Sequence, residues 1–217
     1  MAITPYQVHE RLLDHFGKQS WWPGESRFEV VIGALLVQRT MWRNVEKAIT
    51  KLKKDGLLAP CRLARAEPTR VEALIRPVGF YRQKARRIIG VSKHIVERYG
   101  SSLERFFAKS TLLIRDELLS IDGVGPETAD AILLYAADKP VFPVGAYTRR
   151  VFERMGVEGL GKEELQSYIV ESLPLDLEVF KEFHALLVKL GKTNCKITPI
   201  CLTCSLLEGC EYGQSVH

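Results

Sequence analysis

The pattern that most restricts this chain is the spacing of its apolar residues, which recur every three or four positions along most of its length. Val8, Leu12, Leu13 and Phe16 line one face of a first amphipathic helix that stops at Gly17. Phe28, Val31, Ile32, Leu35 and Leu36 form a second helix, apolar nearly all round, as a helix buried at the centre of a core must be. Further helices are expected at about 41–53, 68–75, 83–98, 101–107, 111–120, 127–137, 146–155, 161–172 and 176–190. The last of these carries Phe180, Phe183, Leu187 and Leu190 on one face. Gly and Pro punctuate the joins, among them Pro23-Gly24, Pro77, Gly79, Gly100 and Pro143. Strand-like alternation is scarce, and neither a repeat nor a low-complexity linker breaks the chain. The expected fold class is all-α.

With 217 residues, 46% of them hydrophobic, the chain can bury one large domain or two small, intimately packed ones. No apolar run reaches the roughly 18–20 residues that span a bilayer, so no membrane partner is expected. Met1-Ala2-Ile3-Thr4-Pro5-Tyr6 leads directly into a polar helical pattern without the layout of a signal peptide. A cytoplasmic, nucleoid-associated location follows, where thiols stay reduced. The formal charge of +5 is a weak pointer to a polyanionic partner. Arg-Gln-Lys-Ala-Arg-Arg at 82–87 and Arg149-Arg150 concentrate that charge, either as solvated helix faces or as contacts to a polyanion.

Four of the five cysteines lie within sixteen residues, in the arrangement Cys195-x5-Cys201-x2-Cys204-x5-Cys210. In a reducing compartment such a group is a metal site. Zinc accepts four thiolates, but its ribbons pair two short knuckles across a longer gap. One C-x2-C flanked on both sides by five-residue loops suits the wider spread of a [4Fe–4S] cluster. Cys61 reads as a structural thiol without a role.

Residues 112–137 read LLIRDELLSIDGVGPETADAILLYAA. Two helices are joined by Ile121-Asp122-Gly123-Val124-Gly125-Pro126. The two glycines allow a tight turn with positive φ and leave backbone N–H groups open at the start of the second helix. That is a main-chain anion site, able to hold a DNA phosphate without reading sequence. Val124 is expected to plug the space between the helices.

This hairpin, followed by the cysteine loop, resembles the endonuclease III branch of the helix-hairpin-helix (HhH-GPD) DNA glycosylases, over about residues 6 to 212. Within it, Phe28–Ala48, Gly125–Asp130 and the first cysteine gap of five most resemble the alkylpurine, 3-methyladenine-type members. The resemblance implies extrusion of a damaged base from double-stranded DNA. It implies Gln38 as the wedge that fills the vacated stack, with Arg39 beside it. Phe80 and Tyr81 fall on a second DNA-approaching loop, with Arg82 and Lys84 near phosphates. Gly123, Val124, Gly125 and Thr128 belong to the hairpin contact. Trp21, Trp22 and Tyr147 are implied base-pocket residues, although the tryptophan pair also reads as a hydrophobic staple. An aromatic pair attracts a methylated, cationic base by a further ~0.5–2 kcal/mol.

Two positions bear on the chemistry. Bifunctional members carry a lysine two residues after the hairpin's second glycine; here it is Glu127, which cannot form an imine. Glu127 reads instead as a pocket or helix-terminus residue. The family's catalytic aspartate is replaced by Gly145 in Phe142-Pro143-Val144-Gly145-Ala146-Tyr147-Thr148-Arg149-Arg150. Either a substitution has arrested turnover and spared DNA binding, or the lineage hydrolyses by another group, such as Glu127 or Asp130, or not at all.

The expected architecture is two helical lobes, 21–131 ending in the hairpin and 1–20 with 132–217 carrying the loop at 195–210, and DNA in a basic cleft with Gly145 at its centre. The implied protein is a monomeric, monofunctional N-glycosylase for an alkylated base, impaired at Gly145. The alternatives are a non-catalytic damaged-DNA-binding protein, or a glycosylase for uracil, mismatched thymine or oxidised pyrimidines.

Overall fold

A computed structural model describes residues 3–216, and every regular element among them is helical. In chain order these are α1 (Pro5–Phe16), α2 (Arg27–Leu36), α3 (Trp42–Lys54), α4 (Pro60–Ala64) and α5 (Pro68–Ile75). There follow α6 (Tyr81–Tyr99), α7 (Leu103–Phe107), α8 (Thr111–Leu119) and α9 (Pro126–Tyr135). The chain ends with α10 (Ala146–Arg154), α11 (Lys162–Glu171), α12 (Leu177–Thr193) and α13 (Glu211–Ser215). No helix among the described residues is long and apolar enough to cross a membrane.

The chain divides into two compact units, Trp22–Asp138 and a second made of Met1–Trp21 with Lys139–His217. In the first unit every residue from Phe28 to Leu36 is buried, so α2 is the central helix its composition required. Ser26 starts it by accepting a hydrogen bond from the N–H of Glu29 at 3.2 Å. Around α2 pack α3, α6 and α9. Gly33, in mid-helix, leaves room for the Trp22 ring: a Cβ there would stand 3.1 Å from the indole nitrogen. A polar cluster holds α6 to α8. Glu117 accepts from His94 Nε2 at 2.6 Å, from the Tyr99 hydroxyl at 2.6 Å and from Lys109 Nζ at 2.8 Å. Burial pushes the Glu117 carboxyl up, but bonds from Lys109, Tyr99 and His94 outweigh it and hold the pKa at about 2.

In the second unit α12 packs against α1 and α10, with Phe180, Phe183, Leu187 and Leu190 buried on its inner side. Thr4 and Gln7 cap α1 reciprocally, which fixes where that helix starts. Burial lowers the pKa of His184, on α12, to about 4, with Lys192 adding to the effect. The ring is therefore neutral at pH 7.

The short helices α4 and α13 escape the periodicity argument because each buries at most two residues, whereas α7, of the same length, buries three. Cys61, expected as a structural thiol, lies on α4 and is exposed.

Candidate nucleic-acid interface and active site

The hairpin is α8, a turn, and α9. Gly123 has φ +81°, a left-handed conformation suited to glycine, and Gly125 caps α9 in extended backbone before Pro126. Val124 is buried, with its N–H donating to the Ile121 carbonyl at 3.1 Å. What this residue offers outward is therefore the shape of the turn. The first N–H groups of α9 are the ones a helix cannot satisfy internally. They open on a depression of about 680 Å³ lined by Gln38, Arg39, Arg87 and the hairpin from Leu119 to Thr128. Exposed Glu127 stands in the first turn of α9, where its charge favours the helix dipole.

Gln38, the expected wedge, is already engaged. Its amide donates to the Gly123 carbonyl at 3.2 Å and to Thr128 Oγ1 at 3.0 Å, and its oxygen accepts from Arg87 Nη1 at 2.8 Å. Arg87 also lies over the turn: a Cβ on Gly123 would come within 2.0 Å of its Nε. Next in the chain, Arg39 is exposed and strained at φ +53°. Phe80 shares both properties, 62% exposed at φ +46° after Gly79 at φ +67°. The Tyr81 ring has the guanidinium groups of Arg76 and Arg82 at 6.0 and 5.9 Å.

Lys84 departs from expectation. The resemblance places it near phosphates, yet it is 2% exposed and donates 2.9 Å hydrogen bonds to the carbonyls of Leu36 and Val78. The reason is its place on α6, in line with buried Ile88, Val91 and Ile95. Burial, with Arg87 nearby, lowers its pKa to about 8. Asp130, weighed as a stand-in for the missing aspartate, is also withdrawn: it is fully buried and bonded to Arg115 Nε at 2.7 Å.

Trp22 packs edge-on to Trp42, with centroids 5.2 Å apart, and 5.4 Å from Tyr135. Beside the tryptophans is a partly open cavity of about 120 Å³, lined also by Glu29, Glu46 and Lys53. Trp42 was not singled out from sequence, although Trp42, Val45, Ile49 and Leu52 form one helical stripe. Trp21 is half-buried.

In the second unit, Gly145 is the N-cap of α10 at φ −106°, ψ −174°. That backbone is extended and open to any residue. The Tyr147 ring lies on Gly191, where a Cβ would meet it at 2.3 Å, and the Arg150 guanidinium is 5.3 Å from its centroid. The basic pair on α10 serves its own unit: Arg149 donates to the Leu160 carbonyl at 3.3 Å, and Arg150 to the Cys195 carbonyl at 2.8 Å.

One turn along, Arg154 grips the cysteine loop. Its guanidinium donates to Cys195 Sγ at 3.3 Å, to the Lys196 carbonyl at 2.6 Å and to the Ile197 carbonyl at 2.8 Å. Cys195, Cys201, Cys204 and Cys210 are all half-buried. Burial and the proximity of the other three thiols raise the pKa of Cys204. Among the described residues no three His, Cys, Asp or Glu side chains gather into a site for one metal ion. The four sulfurs are near enough for a thiolate at one position to disfavour a thiolate at the next.

An all-helical scaffold bearing a Gly-x-Gly hairpin defines a helix-hairpin-helix protein. The chain belongs to the HhH-GPD superfamily of base excision DNA repair proteins, whose profile matches residues 32–174. It is 47% identical over 208 residues to a Methanocaldococcus jannaschii protein that carries the provisional name of a DNA repair glycosylase, covering 94% of each chain. It is 35% identical over 187 residues to endonuclease III of Thermotoga maritima, covering 85% of this chain and 83% of that one. Among solved structures it is similar to an H. pylori 3-methyladenine DNA glycosylase bound to 1,N6-ethenoadenine. There the TM-score is 0.78 and the identity 29%, over 88% of this chain and 98% of that one.

Proposed function

We propose that this chain recognises an alkylated purine in double-stranded DNA, as a monofunctional N-glycosylase whose hydrolytic step is impaired at Gly145. The observation that carries this reading is the cavity of about 120 Å³ beside Trp22 and Trp42, with Glu29 and Glu46 in its lining. Lys53 lines the cavity too and pairs with Glu29 at 3.0 Å, so the charge that would attract a flat cation is that of Glu46, beside the two indoles. N3-alkylation turns a purine into such a cation, whereas uracil, thymine and oxidised pyrimidines are neutral. The likeness to the H. pylori 3-methyladenine DNA glycosylase supports the same substrate class.

The alkylated base is already a good leaving group, so no acid is needed to protonate it. The remaining task is to stabilise the positive charge that develops on the sugar and to orient water, for which a carboxylate at the start of α10 is suited. Gly145 supplies none, and Asp130 is committed to Arg115. Glu127 excludes the imine route of the lyases. The phosphate backbone is held by the first turn of α9 and by Arg39, with Phe80 on a second loop.

Cys195, Cys201, Cys204 and Cys210 would hold a [4Fe–4S] cluster, which supplies a rigid tie for the loop that follows α12. Four half-buried thiols in the spacing Cys195-x5-Cys201-x2-Cys204-x5-Cys210, near enough to raise the pKa of Cys204, support the cluster over zinc. A base-release screen tests the reading. Duplexes carrying N3-methyladenine, 1,N6-ethenoadenine, uracil, a G·T mismatch and an oxidised pyrimidine are incubated with this chain and with Gly145→Asp. Release of alkylated purines by the Asp variant supports it; release of pyrimidines alone overturns it.

A further inference from the structure

We infer that Lys84 is a positioning residue whose buried ammonium braces the two loops presented to DNA, fixing both in the strained backbone forms needed to part a base pair. The inference rests on the proposed function only for what the loops do; the brace itself is a matter of geometry.

Among the described residues no other Lys or Arg is buried. Its two acceptors are main-chain carbonyls that lie 42 residues apart in sequence, Leu36 at the end of α2 and Val78 in the turn before α6. Taking an ammonium out of water is costly, and an apolar side chain of similar length fills the same space without that cost. The ammonium therefore contributes direction: it holds two peptide groups at one fixed separation. Each carbonyl stands just upstream of a left-handed segment. After Leu36 comes Arg39 at φ +53°, and after Val78 come Gly79 at φ +67° and Phe80 at φ +46°. Left-handed conformers of non-glycine residues persist only where the surroundings over-determine them. Here they display the exposed side chains of Arg39, Met41 and Phe80.

One turn further along α6, Arg87 reaches Gln38 and covers Gly123. The same helix face thus fixes the loop after α2, the loop before α6 and the hairpin turn. Gln38 is then a link in the scaffold, and Arg39 and Phe80 are the side chains that the brace aims outward.

The test uses the full chain and its Lys84→Met variant, which keeps the apolar stem and removes the donors. Two duplexes are compared, one intact and one with a tetrahydrofuran abasic analogue beside 2-aminopurine. The variant is expected to keep its far-UV circular dichroism and to lose less affinity for the intact duplex than for the abasic one. Its preference for the abasic duplex should fall at least about tenfold, and the 2-aminopurine fluorescence rise should vanish. Retained preference and fluorescence overturn the inference. If Lys84→Met does not fold, Lys84→Leu, which also removes the donors, is read by the same criteria; failure of both to fold also overturns it. Should the parent itself show no preference for the abasic duplex, the proposed function fails instead. Amide exchange then tests the brace alone. Exchange at residues 37–41 and 79–81 is expected to quicken in the Met variant while α12 stays unchanged, and uniform exchange in both loops refutes it.

Discussion

Replacing Gly145 by Asp separates a missing carboxylate from a missing active site. Gly145 sits at the N-cap of α10 at φ −106°, ψ −174°, and its carbonyl accepts from the Arg149 N–H at 3.0 Å. An Asp enters that backbone without strain and caps the helix. Capping adds a few tenths of a kcal/mol over Gly, and a negative charge at a helix N-terminus about 0.3–1 kcal/mol. For a domain of this size the melting temperature should rise by roughly 1–3 °C. The chemical effect is larger: one preorganised electrostatic group contributes about 2.7–4 kcal/mol, a factor of about 10²–10³ in rate. Single-turnover release of an alkylated purine from a labelled duplex measures it. Gly145→Asn is the control, because Asn caps the helix comparably but carries no charge. The expected result is a stability gain in both variants and a rate gain in Asp alone. Equal release by Gly, Asn and Asp refutes the reasoning and favours a natural damage-binding protein.

Three further outcomes follow from the geometry. Stability should fall with acid in two steps: His184, with its pKa lowered to about 4, must charge below its unfolded value near 6.5, and Glu117, held at about 2, loses its contribution below about 4.5. Glu117→Gln should cost at most roughly 3 kcal/mol at pH 7 in urea titrations, with the gap from the parent closing toward pH 2; a gap independent of pH refutes the network's role. Gly123→Ala forces a side chain into φ +81° and against Arg87, so it should destabilise the chain by more than about 1 kcal/mol and weaken duplex binding at low salt; an unchanged midpoint and affinity contradict the hairpin reading. Cys204→Ser should abolish visible absorbance of the purified protein and weaken duplex binding; a colourless parent containing stoichiometric zinc rules out the iron cluster.

Much of the helical frame was legible because burial imposes a period. The stripe through Phe180, Phe183, Leu187 and Leu190 gave α12, and the unbroken apolar run of α2 identified its central place. The same signal contained the residue that was misread. Lys84 shares a stripe with Ile88, Val91 and Ile95, but a run of charges drew attention to the surface, and hydrogen bonds to distant carbonyls leave no local trace. Gln38 and Arg87 meet at the hairpin through the tertiary fold alone, which no spacing rule reveals. Gly33 did leave a clue, since a glycine inside an apolar helix marks a close approach, here that of Trp22. Trp42 was lost among residues opening a helix, though its stripe with Val45, Ile49 and Leu52 pointed inward.

In the proposed function, Trp22 and Trp42 border the seat of a cationic purine. Quenching of tryptophan fluorescence by the 3,9-dimethyladeninium cation, which keeps the charge of an N3-alkylated nucleoside, by adenine and by thymine, in this chain and in Trp42→Ala, measures it directly. Saturable quenching by 3,9-dimethyladeninium, weaker for adenine, slight for thymine and lost in the variant, is the expected result. Equal quenching by all three bases, or quenching that survives Trp42→Ala, contradicts it.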